Sequence, residues 1–269
     1  MKDINLLIKN GVNVEKSMDI FGDMATYDET LLVFLSEVES KIAKIRNFKE
    51  TGNMAEYAIL VHSLKSDAKY FGFETLAELA YHHEMESKAN HVYYVYENYD
   101  ELMRETNRII NLVKSYLNEL TPNFSEEKIN KIEEVVTEEN MNKILIVDDS
   151  DIIRTVIEKI FSNEYEILSA NDGKEAIEII ENFKDTNLVG MLLDIYMPNV
   201  DGFGVLDYFR KNDLFDKVPV SIITGNDSVE IDQKVFEYPI VDVLKKPFNE
   251  ANIKSVVERT VKKEESRNF

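Results

Sequence analysis

The sequence contains no cysteine and no tryptophan, and only 5 of its 269 residues are proline. The absence of cysteine excludes disulfides, thiolate metal sites and cysteine nucleophiles together. Apolar runs are also short, and none reaches the roughly 18 residues that a membrane-spanning helix needs. The apolar stretch near the N-terminus is too short for a signal peptide, so we expect a soluble, cytoplasmic protein with no membrane insertion.

Positive charge is scarce as well. There are 31 Lys and Arg residues against 51 Asp and Glu residues, which gives a formal net charge of −20. DNA, RNA and anionic membranes attract proteins that cluster positive charge. We therefore expect no nucleic-acid partner. At roughly 100–200 residues per domain, the length of the chain predicts two domains.

The first part of the chain has the apolar spacing of helices almost throughout. Apolar residues recur three or four positions apart, as they do between Leu31 and Ile42. Several helices with short connections predict an all-α helical bundle over residues 1–120. Residues 121–141 would form a linker, and their sequence is compatible with either a short amphipathic helix or a coil.

The texture changes at residue 142, where short β-branched runs alternate with segments of helical period. This alternation predicts a doubly wound α/β domain with a five-stranded parallel sheet over residues 142–269. The predicted strands are Lys143–Val147, Tyr165–Leu168, Val189–Leu193, Val218–Ile223 and Ile240–Leu244. The predicted helices are 151–162, 173–184, 203–211, 228–236 and 249–262.

Reactive side chains follow four of the five predicted strands. Asp148 and Asp149 follow the first strand, and Asp194 follows the third. Thr224 ends the fourth, and Lys246 comes shortly after the fifth. Because these ends meet at one edge of a parallel sheet, the side chains should converge. Clustered carboxylates favour a hard divalent cation such as Mg²⁺, and the added ammonium and hydroxyl groups indicate phosphoryl transfer to an aspartate.

The segments ILIVDDS, LLDIYMPNVDGF, SIITGN and VLKKPF resemble the receiver domain of two-component response regulators, and the resemblance covers residues 142–265. It implies that Asp194 is the phosphoacceptor. It also implies that Asp148, Asp149 and Asp194 hold Mg²⁺ together with the backbone carbonyl of Tyr196.

The same resemblance assigns two further roles. Thr224 would be the switch hydroxyl, and Lys246 would be the ion-pair partner of the phosphoryl group, with a cis peptide bond before Pro247. Two positions depart from the family pattern: Val243 stands where Tyr or Phe is usual, and Gly225 where alanine is commoner. The first departure puts the usual coupling of the hydroxyl to an aromatic side chain in doubt.

Among the four histidines, His62 has the most informative surroundings. On a helix, Lys65 and Ser66 would share its face one turn along, and a neutral imidazole is a competent nucleophile near pH 7. A lone helical histidine is more often structural. However, HSLKSDAKYFG and the following LAELAYHHEMESKANHVYYVYENYDELM resemble the histidine-containing phosphotransfer (HPt) domain over residues 1–120. That resemblance implies that His62 is phosphorylated and that Lys65 assists.

The other histidines, His82, His83 and His91, do not predict a metal site. Adjacent helical residues point about 100° apart, so His82 and His83 cannot easily share one ion. We predict that all three are surface or half-buried residues.

Together the two resemblances imply a phosphorelay protein whose partners are a sensor histidine kinase and other receiver or HPt proteins. No Gly-rich nucleotide loop of the G-x-x-x-x-G-K-[ST] or G-x-G-x-x-G kind is present, so we expect no kinase ATP site. Two alternatives remain. Phosphorylation of Asp194 could control protein binding with the bundle as a docking scaffold, or the chain could be an aspartate-nucleophile hydrolase. The sequence does not decide whether Asp194 and His62 exchange within one molecule.

Overall fold

The computed structural model describes residues 3–118, 141–182, 187–225 and 233–265. Nearly all of the predicted linker, and the first part of the predicted helix 228–236, lie outside these ranges. Among the helices that are described, none combines the length and the hydropathy that a membrane span requires.

The N-terminal half is a bundle of six helices within the described residues. They are α1 (Ile4–Lys9), α2 (Val14–Phe21), α3 (Met24–Glu50), α4 (Met54–Tyr70), α5 (Glu74–Lys88) and α6 (Val92–Asn118). Side chains cap the starts of several helices; at α3, Asp23 accepts a hydrogen bond from the amide of Thr26 at 2.8 Å. The all-α character predicted for this half is confirmed.

The bundle core is centred on an aromatic cluster. The ring of Phe71 packs against those of Phe21, Tyr27, Phe34 and Phe73, with centroids 5.4–5.8 Å apart. All five side chains are buried. Ring pairs at such separations stabilise a fold beyond the area that they bury, by about 0.5–1.5 kcal/mol each. This cluster fixes the end of α4, the helix that carries His62.

The C-terminal half is an α/β domain with a parallel five-stranded sheet in the order β2-β1-β3-β4-β5. Its strands are β1 (Lys143–Val147), β2 (Glu166–Ala170), β3 (Leu188–Asp194), β4 (Val220–Thr224) and β5 (Val243–Lys245). The helices are α7 (Asp151–Phe161), α8 (Gly173–Asn182), α9 (Gly202–Lys211) and α10 (Glu250–Glu265). The prediction of a doubly wound parallel sheet is confirmed, and β1 and β3 are buried almost throughout because neighbours cover both faces.

Strand β1 has the predicted bounds, β3 is one residue longer at each end, and the other three strands are displaced by two or three residues at one end. Strand β2 ends two residues later than predicted, because Ala170 still pairs with Val147 of β1. Strand β4 begins two residues later, at Val220, since Pro219 has no amide hydrogen to donate to a ladder. Strand β5 is shorter and begins only at Val243, because the backbone bends at Val241.

The two halves are packed against each other. Helix α3 of the bundle contacts helix α7 of the α/β domain. Buried apolar side chains of the bundle form one continuous cluster with those of α7, α10 and one face of the sheet. The other sheet face packs separately, against α8 and α9. Contact between the halves brings α4 to the edge of the sheet where the strands end.

Candidate phosphotransfer site

The structure brings three carboxylates together at the carboxyl edge of the sheet. Asp148 follows β1, Asp194 is the last residue of β3, and each of Asp148, Asp149 and Asp194 offers an oxygen within 4.8 Å of the others. Asp148 and Asp194 are buried, and Asp149 is half-buried. The topology explains this grouping, because β1 and β3 are neighbours in the sheet and run parallel.

Lys246 joins two of these carboxylates. Its Nζ lies 2.7 Å from Oδ2 of Asp148 and 2.6 Å from Oδ2 of Asp194, and its side chain is buried. Burial lowers the pKa of Lys246, but the charges of Asp148 and Asp194 outweigh it and raise that pKa well above the ordinary value. The lysine is therefore a permanent cation in this site. The peptide bond between Lys246 and Pro247 is cis, as the receiver resemblance implies.

One ammonium does not balance three carboxylates. Burial, and then the charge of Asp148, raise the pKa of Asp149 to about 7. Burial also raises the pKa of Asp194 to about 6, against the attraction of Lys246. A hard cation bound by oxygen ligands would relieve this repulsion. The donor set, which is all carboxylate oxygen and partly open to solvent at Asp149, fits Mg²⁺.

Two further predicted residues border the cluster. Thr224 is the buried last residue of β4, and its carbonyl accepts a hydrogen bond from the amide of Lys246 at 2.8 Å. Tyr196 follows Asp194 by two residues, and its amide donates to Oδ1 of Asp194 at 3.2 Å. Both residues therefore lie at the same edge of the sheet as the carboxylates. The Tyr196 carbonyl as a metal ligand and the Thr224 hydroxyl as a switch stay predictions.

His62 lies on the buried side of α4, with only 2% of its surface exposed. Its Nδ1 donates a hydrogen bond to Oε1 of Glu84 on α5 at 2.7 Å. The proton is thereby placed on Nδ1, which leaves the lone pair on Nε2. Within the part of the chain that the structure describes, Nε2 has no hydrogen-bond partner. Burial lowers the pKa of His62 to about 4, so the ring is neutral at pH 7.

Glu84 also forms ion pairs with two lysines. Lys65 Nζ lies 2.6 Å from Oε2 of Glu84, and Lys88 Nζ lies 2.6 Å from Oε1. Burial alone would raise the pKa of Glu84, but its bond to His62 and the charges of Lys65 and Lys88 lower it well below the ordinary value. The carboxylate is therefore ionised and can hold a positive charge that develops on the imidazole.

Lys65 contacts the imidazole of His62 as well as Glu84. Its ammonium lies 3.3 Å from Nδ1 of His62, on the side of the ring that faces Glu84. An assisting role would therefore act through the Glu84 carboxylate.

Sequence reasoning missed Glu84 as the partner of His62, because 22 residues and a helix boundary separate them. The only sequence signal is an acidic residue on the buried face of α5. The prediction that His83 is a surface or half-buried residue was wrong, because its side chain is buried and its Nδ1 is hydrogen-bonded to the Tyr57 hydroxyl at 2.8 Å. His82 and His91 are exposed, as predicted.

Family comparisons agree with this geometry. Residues 29–120 match the family model of the Hpt domain, and residues 144–258 match that of the response regulator receiver domain. The chain therefore combines an Hpt domain with a C-terminal receiver domain. Both are domain types of two-component phosphorelay signalling.

Individual relatives share part of the chain. The Probable transcriptional regulator ycf27 of Cyanophora paradoxa is 37% identical over 126 residues, which are 45% of this chain and 50% of that protein. The Transcriptional regulatory protein CpxR of Escherichia coli is 30% identical over 134 residues, 48% of this chain and 54% of its own. The chain spans about half the length of these relatives. Chemotaxis response regulator CheY4 of Vibrio cholerae has 28% identity and a TM-score of 0.41, covering 45% of this chain and 99% of that structure.

Proposed function

We propose that the protein is a phosphorelay intermediate in which Asp194 accepts a phosphoryl group in a Mg²⁺-dependent reaction and His62 carries one in the Hpt domain. The observation that supports this most is the bridging of Asp148 and Asp194 by Lys246, beside the half-open carboxylate of Asp149. In this arrangement the buried Asp194 carboxylate has the Lys246 ammonium next to it, and the half-buried Asp149 carboxylate is available to bind a metal cation.

In the receiver half, an Asp194 carboxylate oxygen attacks the phosphorus of the donor. The new P–O bond forms as the donor's bond to phosphorus breaks, and the leaving group keeps that electron pair. The Lys246 ammonium and the Thr224 hydroxyl meet the oxygens of the incoming phosphoryl group. Asp148, Asp149 and the Tyr196 carbonyl would hold Mg²⁺, which when bound neutralises charge on phosphoryl oxygens.

In the Hpt half, Nε2 of His62 is the nucleophile. It is unprotonated at pH 7 because Nδ1 carries the proton, and the ring becomes positively charged once Nε2 bonds to phosphorus. Glu84 lies 2.7 Å from Nδ1 and stabilises that charge. Lys65 holds Glu84 in place through a contact of 2.6 Å.

The partners of these reactions would be a sensor histidine kinase and other receiver or HPt proteins. A receiver draws from a phosphohistidine, and an Hpt histidine exchanges with an aspartate of a receiver. Supporting this, neither domain contains a Gly-rich nucleotide loop in its sequence. Residues 1–120 and 142–269 would form the two functional units, with 121–141 between them.

The test is phosphorylation of the purified full chain by acetyl phosphate with Mg²⁺. We expect a base-labile acyl phosphate that Asp194→Asn abolishes, and a base-stable phosphohistidine that His62→Gln abolishes. Matched controls are Asp213→Asn and His91→Gln, which alter exposed residues outside the site. Undiminished labelling of the Asp194→Asn chain would contradict the assignment of the phosphoacceptor.

A further inference from the structure

The reactive nitrogen of His62 faces the receiver domain of the same chain. The centroid of its ring lies 5.0 Å from that of Tyr196, which follows Asp194 by two residues. A Cβ atom built on Gly225, the residue after Thr224, would lie 3.3 Å from Nε2. The His62 ring therefore borders both of the segments that flank the Asp194 carboxylate, and its Nε2 lies next to Gly225.

A buried polar contact holds the two domains in this position. Oδ1 of Asp67, which lies on α4 five residues beyond His62, accepts a hydrogen bond from the Ser150 hydroxyl at 3.1 Å. Ser150 is the N-cap residue of α7 and directly follows the acidic pair. The other oxygen of Asp67 pairs with Lys41 of α3. We call Asp67, Ser150 and Lys41 the latch.

Apolar and ionic contacts extend this interface on either side. The ring of Tyr70 meets that of Phe248 edge-to-face, with centroids 5.6 Å apart, and both side chains are buried. Phe248 lies two residues after Lys246, so this contact borders the receiver site directly. At the periphery, Lys159 of α7 pairs with Glu29 of α3.

Gly225 provides the clearance that this approach needs. Its backbone does not adopt a left-handed conformation, so the φ angle does not require glycine. A side chain would instead crowd the other domain, because a Cβ would lie 3.3 Å from both Nε2 of His62 and Oγ of Ser66. Because Gly225 has no side chain, the receiver domain leaves space for the His62 imidazole and for Ser66 of the Hpt domain.

With the two domains packed together in this way, the acidic edge of the sheet is still open to small solutes. A cavity of about 470 Å³ lies at the domain boundary. Helix α3 lines it with Glu37 and Lys41, and the receiver domain lines it with Asp149, Asp172 and Asn199. Asp149 is therefore accessible while His62 faces the receiver.

We propose that Asp194 and His62 of one chain exchange a phosphoryl group directly across this interface, with Gly225 and the latch as positioning residues. The inference rests on the proposed function and adds the partner, which is the other domain of the same molecule. In the forward step, the P–O bond to Asp194 breaks and the carboxylate keeps its electron pair. The lone pair of Nε2 forms the new P–N bond. The proton stays on Nδ1, which keeps its hydrogen bond to Glu84. The return step reverses these changes.

The kinetic order of the transfer tests this proposal. The full chain is phosphorylated with acetyl phosphate and Mg²⁺, freed of the donor, and followed as base-labile label becomes base-stable label. A tethered domain acts at an effective concentration of about millimolar. We therefore expect a first-order rate constant that does not change when the protein is diluted from micromolar concentration.

A mixture of two variants provides the matched control. Asp194→Asn chains retain His62, and His62→Gln chains retain Asp194, so label can reach histidine only between molecules. At micromolar concentration we expect this route to be roughly 1,000-fold slower than transfer in the wild-type chain, given the millimolar effective concentration of a tethered partner. A wild-type rate that rises in proportion to concentration and matches the mixture would overturn the proposal.

Substitution of Gly225 tests the geometry separately. The transfer rate is measured per phosphorylated Asp194, so that partial loading does not affect it. We expect Gly225→Val to slow the transfer roughly 10- to 100-fold, because its side chain overpacks against His62, and Gly225→Ala to slow it less. Equal rates in all three chains would contradict the role of Gly225. Failure of the wild type to label Asp194 at all would instead overturn the proposed function.

Discussion

The carboxylate of Glu84 lies 2.7 Å from Nδ1 of His62, and this contact determines which nitrogen of the imidazole is free to react. Because the carboxylate can only accept a hydrogen bond, Nδ1 carries the proton and Nε2 keeps its lone pair. Nε2 is also the nitrogen that faces the receiver domain. A partner on a different helix thus orients the histidine toward the chemistry that its sequence motif implies.

Replacement Glu84→Gln should slow phosphorylation of His62 markedly. A charge-assisted hydrogen bond is worth about 1.5–3 kcal/mol, which corresponds to roughly a 10- to 100-fold change in rate. The amide can also donate to the imidazole and favour the wrong tautomer. The measurement is the rate of base-stable labelling, with the melting temperature recorded to confirm folding.

The matched control is Glu78→Gln on the same helix, where the side chain is exposed. It should label His62 at the wild-type rate. If Glu84→Gln does so too, Glu84 does not orient the histidine.

Mg²⁺ should stabilise the folded chain through the carboxylate cluster. A ligand that binds only the folded state adds about 2.7 kcal/mol at one hundred times its dissociation constant. We expect the free energy of unfolding to rise with Mg²⁺ in the wild type and much less in Asp149→Asn. In Asp213→Asn, which changes an exposed residue, the rise should equal that of the wild type. An equal rise in Asp149→Asn would place the cation elsewhere.

Loss of Lys246 should destabilise the chain most when divalent cations are absent. Replacement Lys246→Ala leaves Asp148 and Asp194 buried without their ammonium, and breaking a buried ion pair costs about 3–5 kcal/mol. Mg²⁺ should recover part of this loss, because it supplies positive charge to the same oxygens. Urea denaturation with Mg²⁺ and with a chelator measures the loss of stability and the part that Mg²⁺ recovers. An identical loss under the two conditions would show that the lysine and the cation act at separate places.

Acid should destabilise the Hpt domain through His83. Burial lowers the pKa of His83 to about 4 from 6.5, so the unfolded chain binds a proton that the folded chain does not. The free energy of unfolding therefore falls as the pH falls through this interval, by about 2 kcal/mol from pH 7 to pH 5 for this group. Between pH 7 and pH 5, the free energy of unfolding should therefore decrease by about 2 kcal/mol less in His83→Gln than in the wild type. Denaturation of both chains at the two pH values measures this difference. Equal losses would mean that His83 titrates normally.

The grouping of the receiver-site residues could be predicted from the sequence, because the topology of the parallel sheet determines where they lie. Once β1, β3, β4 and β5 are recognised as parallel neighbours, the residues that follow them must meet at one edge. The positions of Asp148, Asp194 and Lys246 follow from that rule. The strand bounds themselves were less predictable, because pairing with β1 decides where β2 ends and a bend decides where β5 begins.

The contacts around His62 could not be predicted in the same way. Helical periodicity places His62 on one face of α4, but the pairing of α4 with α5 that brings Glu84 to Nδ1 depends on packing between distant segments. Burial of His83 has the same origin. The docking of Asp67 on Ser150 is further removed still, because 83 residues and a domain boundary separate the two side chains.

The central claim is tested most directly by mapping the phosphorylated residues of the full chain. Borohydride reduction converts a phosphorylated aspartate to homoserine, which peptide mass spectrometry locates, and phosphohistidine is mapped on samples kept at alkaline pH. After loading with acetyl phosphate and Mg²⁺, we expect reduction at Asp194 and phosphate on His62. Modification of Asp148 or Asp149 in place of Asp194, or of His82 in place of His62, would contradict the account.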